Sequence, residues 1–121
     1  MAIYDFTDKK AINKGWSSDR KYRVTATDGT KYLLRISPIE QYNRKHHEFV
    51  MMQRVAALGV PMCHPIEFGT CDEGVYSLQS WVDGKDAEEV IHTLSDNEQY
   101  LYGVNAGRIL KNIHSIPAPE S

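Results

Sequence analysis

The chain has 121 residues, and its 14 Lys and Arg side chains against 16 Asp and Glu give a formal net charge of −2. This balance argues against a nucleic-acid-binding module, which normally presents a basic face. The N-terminus lacks the basic segment and apolar run of a signal peptide, and no apolar stretch approaches the roughly 20 residues of a membrane span. Two cysteines, Cys63 and Cys71, are too few for a disulfide framework. We therefore expect a cytoplasmic protein that binds neither nucleic acid nor membrane.

The first part of the chain has the pattern of β-strands. A short strand is expected at residues 10–14, followed by a loop of small residues at 15–19. Two alternating, β-branched segments, 21–27 and 30–36, flank an Asp-Gly pair at 28–29. An Asp-Gly pair between alternating segments predicts a β-hairpin with a type I′ turn.

A helix is predicted at residues 42–58, because Gly59 and Pro61 follow its last apolar residue. Glu48 falls inside the apolar arc of this helix, where a carboxylate needs a cationic partner or a polar cleft. The alternative is that Glu48 lies at the edge of the core and turns out to water. The apolar arc consists of Phe49, Met51, Met52, Val55, Ala56 and Leu58.

The second part of the chain predicts two further strands and two helices. The strands are expected at 65–69 and 75–81, and capping-box spacing at 86–89 and 95–98 predicts the two helix starts. The second helix, which ends near His114, is apolar beyond a single stripe and is therefore expected to be buried on several sides. From this we expect the chain to be part of something larger. Its apolar residues are Leu101, Tyr102, Val104, Ala106, Ile109, Leu110 and Ile113.

In this order, the segments resemble the nucleotide-binding lobe of the protein-kinase fold, in its aminoglycoside phosphotransferase and choline-kinase-like branch. The resemblance spans residues 12–117 and implies an α+β fold, an antiparallel sheet of about five strands with one packed helix. It implies a nucleotide-binding N-lobe at 1–82, then a hinge and the first helices of an incomplete C-lobe at 83–121. The matching segments are INKGWSSDRKYRV (12–24), YLLRI (32–36), HEFVMM (47–52), LGVP (58–61), SWVDG (80–84) and AGRILKNIHS (106–115).

The resemblance implies a phosphate site. Backbone N–H groups of a small-residue loop can cradle phosphate oxygens, which is the role implied for Gly15, Ser17 and Ser18 although the G-x-G-x-x-G form is absent. The alternative is a plain strand connection. Arg35 stands where the family has a strand lysine, and it keeps the charge and offers bidentate geometry. The family pairs that cation with a helix glutamate, which implies an Arg35–Glu48 ion pair.

The resemblance also implies an adenine site. The backbone of the segment after the fifth strand would contact the adenine edge through the Ser80 carbonyl and the Val82 N–H, with Gln79 at the gatekeeper position. Leu33 would border the adenine, and Val24 and Ile12 would pack against the purine ring. The alternative is that residues 75–82 are only a core strand. The implied nucleotide-binding set is Gly15, Ser17, Ser18, Val24, Leu33, Arg35, Glu48, Gln79, Ser80 and Val82.

The chain lacks the family's catalytic motif. Phosphoryl transfer in this family uses an H-x-D-x-x-x-x-N loop and a later aspartate for magnesium, and the 121 residues contain no such loop. ATP and Mg²⁺ are the implied cofactors, with the metal ligands expected outside these residues, so the chain alone is expected to be inactive. Cys63, His64 and Cys71 are spaced too irregularly for structural zinc. The basic stretch at 44–47 is expected to be solvated.

Three functions remain open from the sequence. The first is the ATP-binding lobe of a kinase that phosphorylates a hydroxyl of an aminoglycoside, an antibiotic-resistance activity. The second changes the acceptor to choline, homoserine, a sugar amine or a macrolide. The third is a non-catalytic nucleotide-binding or assembly module that covers its last helix by homodimerisation.

Overall fold

The computed structural model describes residues 6–12 and 19–117. Five antiparallel strands form one sheet in the order β1-β2-β3-β5-β4, and α1 packs against β4 and β5. This confirms the α+β fold with a five-stranded sheet and one packed helix. The strands are β1 (Phe6–Ile12), β2 (Arg20–Ala26), β3 (Lys31–Ser37), β4 (Pro65–Cys71) and β5 (Gly74–Ser80), and the helices are α1 (Tyr42–Ala56), α2 (Ala87–Val90) and α3 (Asp96–Ile113).

One face of the sheet carries the main hydrophobic core. Val24, Leu34 and Leu78 are fully buried on the three central strands, and Ile36 and Tyr76 extend the same cluster. Because side chains alternate between the faces of a strand, residues paired directly across strands share a face. Leu34 pairs with Leu78 and Ile36 with Tyr76, so the core follows from the alternating pattern of the sequence.

The opposite face of the sheet carries α1. Phe49 is the buried residue of this helix, and its ring lies 5.5 Å from that of Phe68 on β4. His46 and Tyr42, one and two turns earlier than Phe49, also pack against Phe68. These ring contacts hold α1 against β4.

The β2–β3 turn differs from the predicted type I′ turn. The Gly29 N–H donates to the Ala26 carbonyl, and the Ala26 N–H donates to the Thr30 carbonyl. These bonds enclose a three-residue loop that ends in Gly29 at φ +86°, the geometry of a type I turn with a bulge. The Thr30 N–H instead donates to the Asp28 carboxylate, which stabilises the longer loop. The extra loop residue shifts the strand register by one.

The β4–β5 hairpin has only two loop residues, because its strands extend beyond the predicted ends to Cys71 and Gly74. Gly74 has φ +136°, and a Cβ atom there would overlap the carbonyl oxygen of Ser37. Glycine therefore allows the start of β5 to approach the end of β3. Ser37 is thereby fixed beside the charged face described below.

Helix α3 begins and ends close to the predicted residues. Ser95 and Glu98 form both hydrogen bonds of a capping box, and His114 is the C-cap. No residue of the helix is fully buried, however, and four of its large apolar residues are exposed to solvent. Within the described part of the chain, no helix is both long and apolar enough to cross a membrane. The exposed apolar residues of α3 are Tyr100, Leu101, Tyr102 and Leu110.

Candidate functional site

Arg35 lies on the α1 face of β3, where it forms an ion pair with Asp19. Its Nε atom is 3.3 Å from the Asp19 Oδ2 atom, although the pair lacks the alignment of a hydrogen bond. The Arg35 side chain is 30% exposed and that of Asp19 only 5%. The guanidinium therefore has a buried carboxylate at its inner end and solvent at its outer end.

Asp19 joins three elements at one carboxylate. Its Oδ1 atom accepts a hydrogen bond from the Ser37 hydroxyl at 2.9 Å, and its Oδ2 atom accepts one from the Lys45 ammonium at 3.1 Å. Burial opposes ionisation of the carboxyl, but the bonds from Lys45 and Ser37 and the charges of Lys45 and Arg35 outweigh it, so the pKa of Asp19 lies below its ordinary value. Asp19 is therefore an anion at neutral pH.

Glu48 does not pair directly with Arg35, so that prediction was wrong. The Glu48 carboxylate lies 3.3 Å from the Lys45 ammonium and 3.4 Å from the Arg44 guanidinium, and 52% of its side chain is exposed. The alternative, in which Glu48 turns out to water at the edge of the core, is the one observed. Arg35 contacts Asp19, and Lys45 contacts both Asp19 and Glu48, so the ion pairs connect Arg35 to Glu48 through Asp19 and Lys45.

A cavity of about 210 Å³ separates α1 from β3 and β5 at this cluster. Asp19, Arg35, Lys45 and Glu48 line its charged part. Phe49, Met52, Phe68 and Val75 line its apolar part, and Ser77 and Gln79 contribute polar atoms from β5. The cavity is therefore a mixed cleft, lined by charged groups of both signs, polar groups and apolar side chains.

Leu33 and Gln79 lie on the same face as Arg35, as the predicted adenine site requires. They are direct partners across β3 and β5, and Gln79 is almost fully buried. Ile12 pairs with Lys21, which in turn pairs with Arg35, so Ile12 shares this face as well. The arrangement places an apolar side chain and a buried amide beside the cations.

Val24 does not lie on this face, which corrects its assignment to the nucleotide site. The predicted type I′ turn would pair Val24 with Leu33, whereas the observed register pairs Val24 with Tyr32. A shift of one residue moves a side chain to the other face of a sheet. Val24 is consequently fully buried in the core and is replaced opposite Leu33 by Arg23.

Two of the remaining predicted residues, Ser80 and Val82, lie at the end of β5 and just after it. Ser80 ends β5, and its N–H and hydroxyl both bond to the backbone of His64, which anchors the strand end. Val82 follows in the extended segment after β5 and is exposed. Gly15, Ser17 and Ser18, predicted to bind phosphate, lie outside the described residues.

Comparison with known protein families identifies the family to which this sequence is related. The sequence matches the phosphotransferase enzyme family over residues 8–121. The chain belongs to this family. Comparison with curated protein sequences gives no match. The match covers the sheet, the charged cluster and α3 together, so the kinase-like lobe architecture and the family assignment agree.

Two residues of the charged cluster were not predicted from the sequence. Asp19 was assigned to the loop without a role, and Lys45 was placed in a solvated basic stretch. Lys45 is only 14% exposed. It lies four residues before Phe49 and so shares the buried side of α1. That spacing is the signal by which the sequence could have placed Lys45 on the packed side of α1, although it does not identify Asp19 as the partner.

The described residues offer arginine donors that fit the phosphates of ATP, but they offer no cluster of ligands for Mg²⁺. The Nε atoms of Arg23 and Arg35 are buried without a hydrogen-bond partner in this part of the chain, and both residues lie on the face of Leu33. Because these Nε atoms are buried, and that of Arg35 faces the Asp19 carboxylate, an anion would reach the two guanidinium groups at their terminal nitrogens. No group of three His, Cys, Asp or Glu side chains among the described residues is arranged to hold a metal ion.

Proposed function

We propose that this chain is the ATP-binding lobe of a small-molecule phosphotransferase that transfers the γ-phosphoryl group of ATP to a hydroxyl, with an aminoglycoside as the leading acceptor. Membership of the phosphotransferase family supports the reaction class. The acceptor rests on the sequence resemblance alone, and choline, homoserine, a sugar amine or a macrolide remain the alternatives.

The observation that carries the proposal is the concentration of cations on one face of β2 and β3. Lys21 lies directly opposite Arg35, and Arg23 lies directly opposite Leu33. Basic side chains concentrated on one face attract an anionic ligand. Arg35 would contact phosphate oxygens, while Leu33 and Gln79 would line the adenine end toward Ser80 and Val82.

Bound Mg-ATP would supply the phosphoryl group, and its magnesium ion would screen the negative charge of the phosphates. The chain's own residues would bind and orient the nucleotide. Arg35 would direct a planar guanidinium at the phosphates, and Leu33 would exclude water from the base. Within this chain we assign no residue to proton transfer, because the H-x-D-x-x-x-x-N loop is absent from these residues.

The test is calorimetric titration of the chain with Mg-ATP. We expect Arg35→Ala to raise the Kd at least about tenfold, since a charge-assisted bidentate contact is lost. Arg54→Ala is the matched control, because Arg54 is an exposed arginine in the last turn of α1. The same affinity in Arg35→Ala and Arg54→Ala would refute the role of Arg35, and no binding by the parent chain would refute the function.

The exposed residues of α3 favour a second candidate, an assembly module that pairs two copies of the chain through this helix. Four large apolar side chains of α3 are at least half exposed. Sedimentation equilibrium distinguishes the candidates: a dimer that Leu110→Ser dissociates, in a chain that does not bind Mg-ATP, would support the module. A monomer that binds Mg-ATP would exclude it.

A further inference from the structure

Asp19 occupies a position that no assigned role explains. It directly precedes β2 and directly follows the loop predicted to hold phosphate, and its side chain is 5% exposed. Burying a carboxylate is costly unless it is paired and hydrogen-bonded. Asp19 meets this requirement with one hydroxyl and two cations, contributed by β3 and α1.

The contacts of Asp19 leave the terminal nitrogens of Arg35 available. The ion pair to Asp19 involves the Nε atom, at the inner end of the guanidinium. A phosphate binds an arginine best through two parallel N–H groups held in one plane. An arginine fixed at Nε loses less side-chain freedom when an anion binds to its NH1 and NH2 groups.

Lys45 and Glu48 extend this anchor to the surface of α1. Lys45 contacts both carboxylates, at 3.1 Å to Asp19 and 3.3 Å to Glu48. Lys45 and Arg35 contact the same oxygen of Asp19, Oδ2, and Lys45 thereby fixes this carboxylate relative to the helix. Arg35 is in this way connected to α1 through Asp19 and Lys45.

We propose that Asp19 is the positioning residue for Arg35: it holds the guanidinium in the orientation that binds the phosphates of ATP. This inference rests on the proposed function, because it assigns how the same site is organised. It makes the buried aspartate, and not the exposed Glu48, the anionic partner of the strand cation. It also predicts that the contribution of Asp19 to binding exists only while Arg35 is present.

A double-mutant cycle on Mg-ATP affinity tests this dependence. We expect Asp19→Asn to raise the Kd about five- to tenfold in the parent chain, and to have less than about a twofold effect in the Arg35→Ala chain. Asp72→Asn removes an exposed carboxylate of the β4–β5 loop and is the matched control. A purely structural role would weaken binding equally in both backgrounds, and this result would overturn the proposal.

Three other outcomes are decisive. If Asp19→Asn binds Mg-ATP more tightly than the parent chain, Asp19 sequesters Arg35 instead of positioning it, and the proposal is wrong. If the parent chain binds no Mg-ATP, the proposed function fails and the inference fails with it. Binding by the parent chain with no change in Asp19→Asn overturns the inference and leaves the function standing.

Asp19→Asn leaves Lys45 without its buried counter-charge and can impair folding. The same cycle is therefore also performed in a Lys45→Met background, where replacing both charges of the pair avoids an uncompensated ammonium. Thermal unfolding confirms that each variant is folded before titration. In this background too, Asp19→Asn must weaken binding in the presence of Arg35 and not in its absence.

Discussion

Neighbouring residues of β3 face two different environments. Leu34 is fully buried among the apolar side chains of β2 and β5, whereas Leu33 and Arg35 point to the half-open face beside α1. The first face is closed by side chains of the chain itself. The second contains a cavity and a set of cations. One set of strands thus supplies stability on one face and a binding surface on the other.

The largest effect on stability is expected when a leucine of β3 is replaced by alanine on the core face. The same substitution on the opposite face serves as the comparison. Leu34→Ala creates a core cavity and should lower the free energy of unfolding by about 3 kcal/mol. Leu33→Ala should cost about 1 kcal/mol or less, because Leu33 is only half-buried, but it should weaken Mg-ATP binding. Urea unfolding and calorimetry measure the two quantities. Equal losses of stability would mean that both residues belong to one core.

A smaller effect is expected at the charged cluster. Lys45→Met removes a cation from Asp19 and should lower the free energy of unfolding by about 2 kcal/mol, since the carboxylate stays buried with fewer partners. Asn43→Met introduces the same side chain at an exposed position of α1 and is the control. Unchanged stability of Lys45→Met in urea unfolding would show that Asp19 does not depend on the helix.

The ionisation of Asp19 should appear in the pH dependence of stability. Its folded pKa lies below the ordinary value of 3.8, so its ion pairs contribute fully above that pH and are lost as the pH falls through the lower folded pKa. The stability difference between the parent chain and Asp19→Asn should therefore be constant from pH 7 to 5 and shrink below about pH 4. A difference that does not change on acidification would contradict the pairing.

The smallest effect is expected at Glu48. Its ion pairs with Arg44 and Lys45 are exposed, and such pairs contribute about 1 kcal/mol or less. Glu48→Gln should therefore change both the unfolding free energy and the Mg-ATP affinity far less than Asp19→Asn. A larger loss of Mg-ATP affinity in Glu48→Gln than in Asp19→Asn would restore the direct partnership with Arg35 that the sequence resemblance implied.

Most of the sheet was predictable because alternation and turn residues are local signals. The register of the β2–β3 hairpin was not, since Asp28-Gly29 suits both a two-residue turn and the end of a three-residue loop. That one-residue difference moved Val24 from the predicted site into the core. The partner of Arg35 was also missed, because the Asp19–Arg35 and Asp19–Lys45 pairs join distant segments that no local pattern relates.

The most direct test of the account observes the two leucines of β3 together. In a chain with labelled leucine methyl groups, titration with Mg-ATP should shift the NMR signals of Leu33 and leave those of Leu34 nearly unchanged. This result would place the nucleotide on the Arg35 face of the sheet. Shifts confined to Leu34, or to neither residue, would contradict the assignment of that face as the binding site.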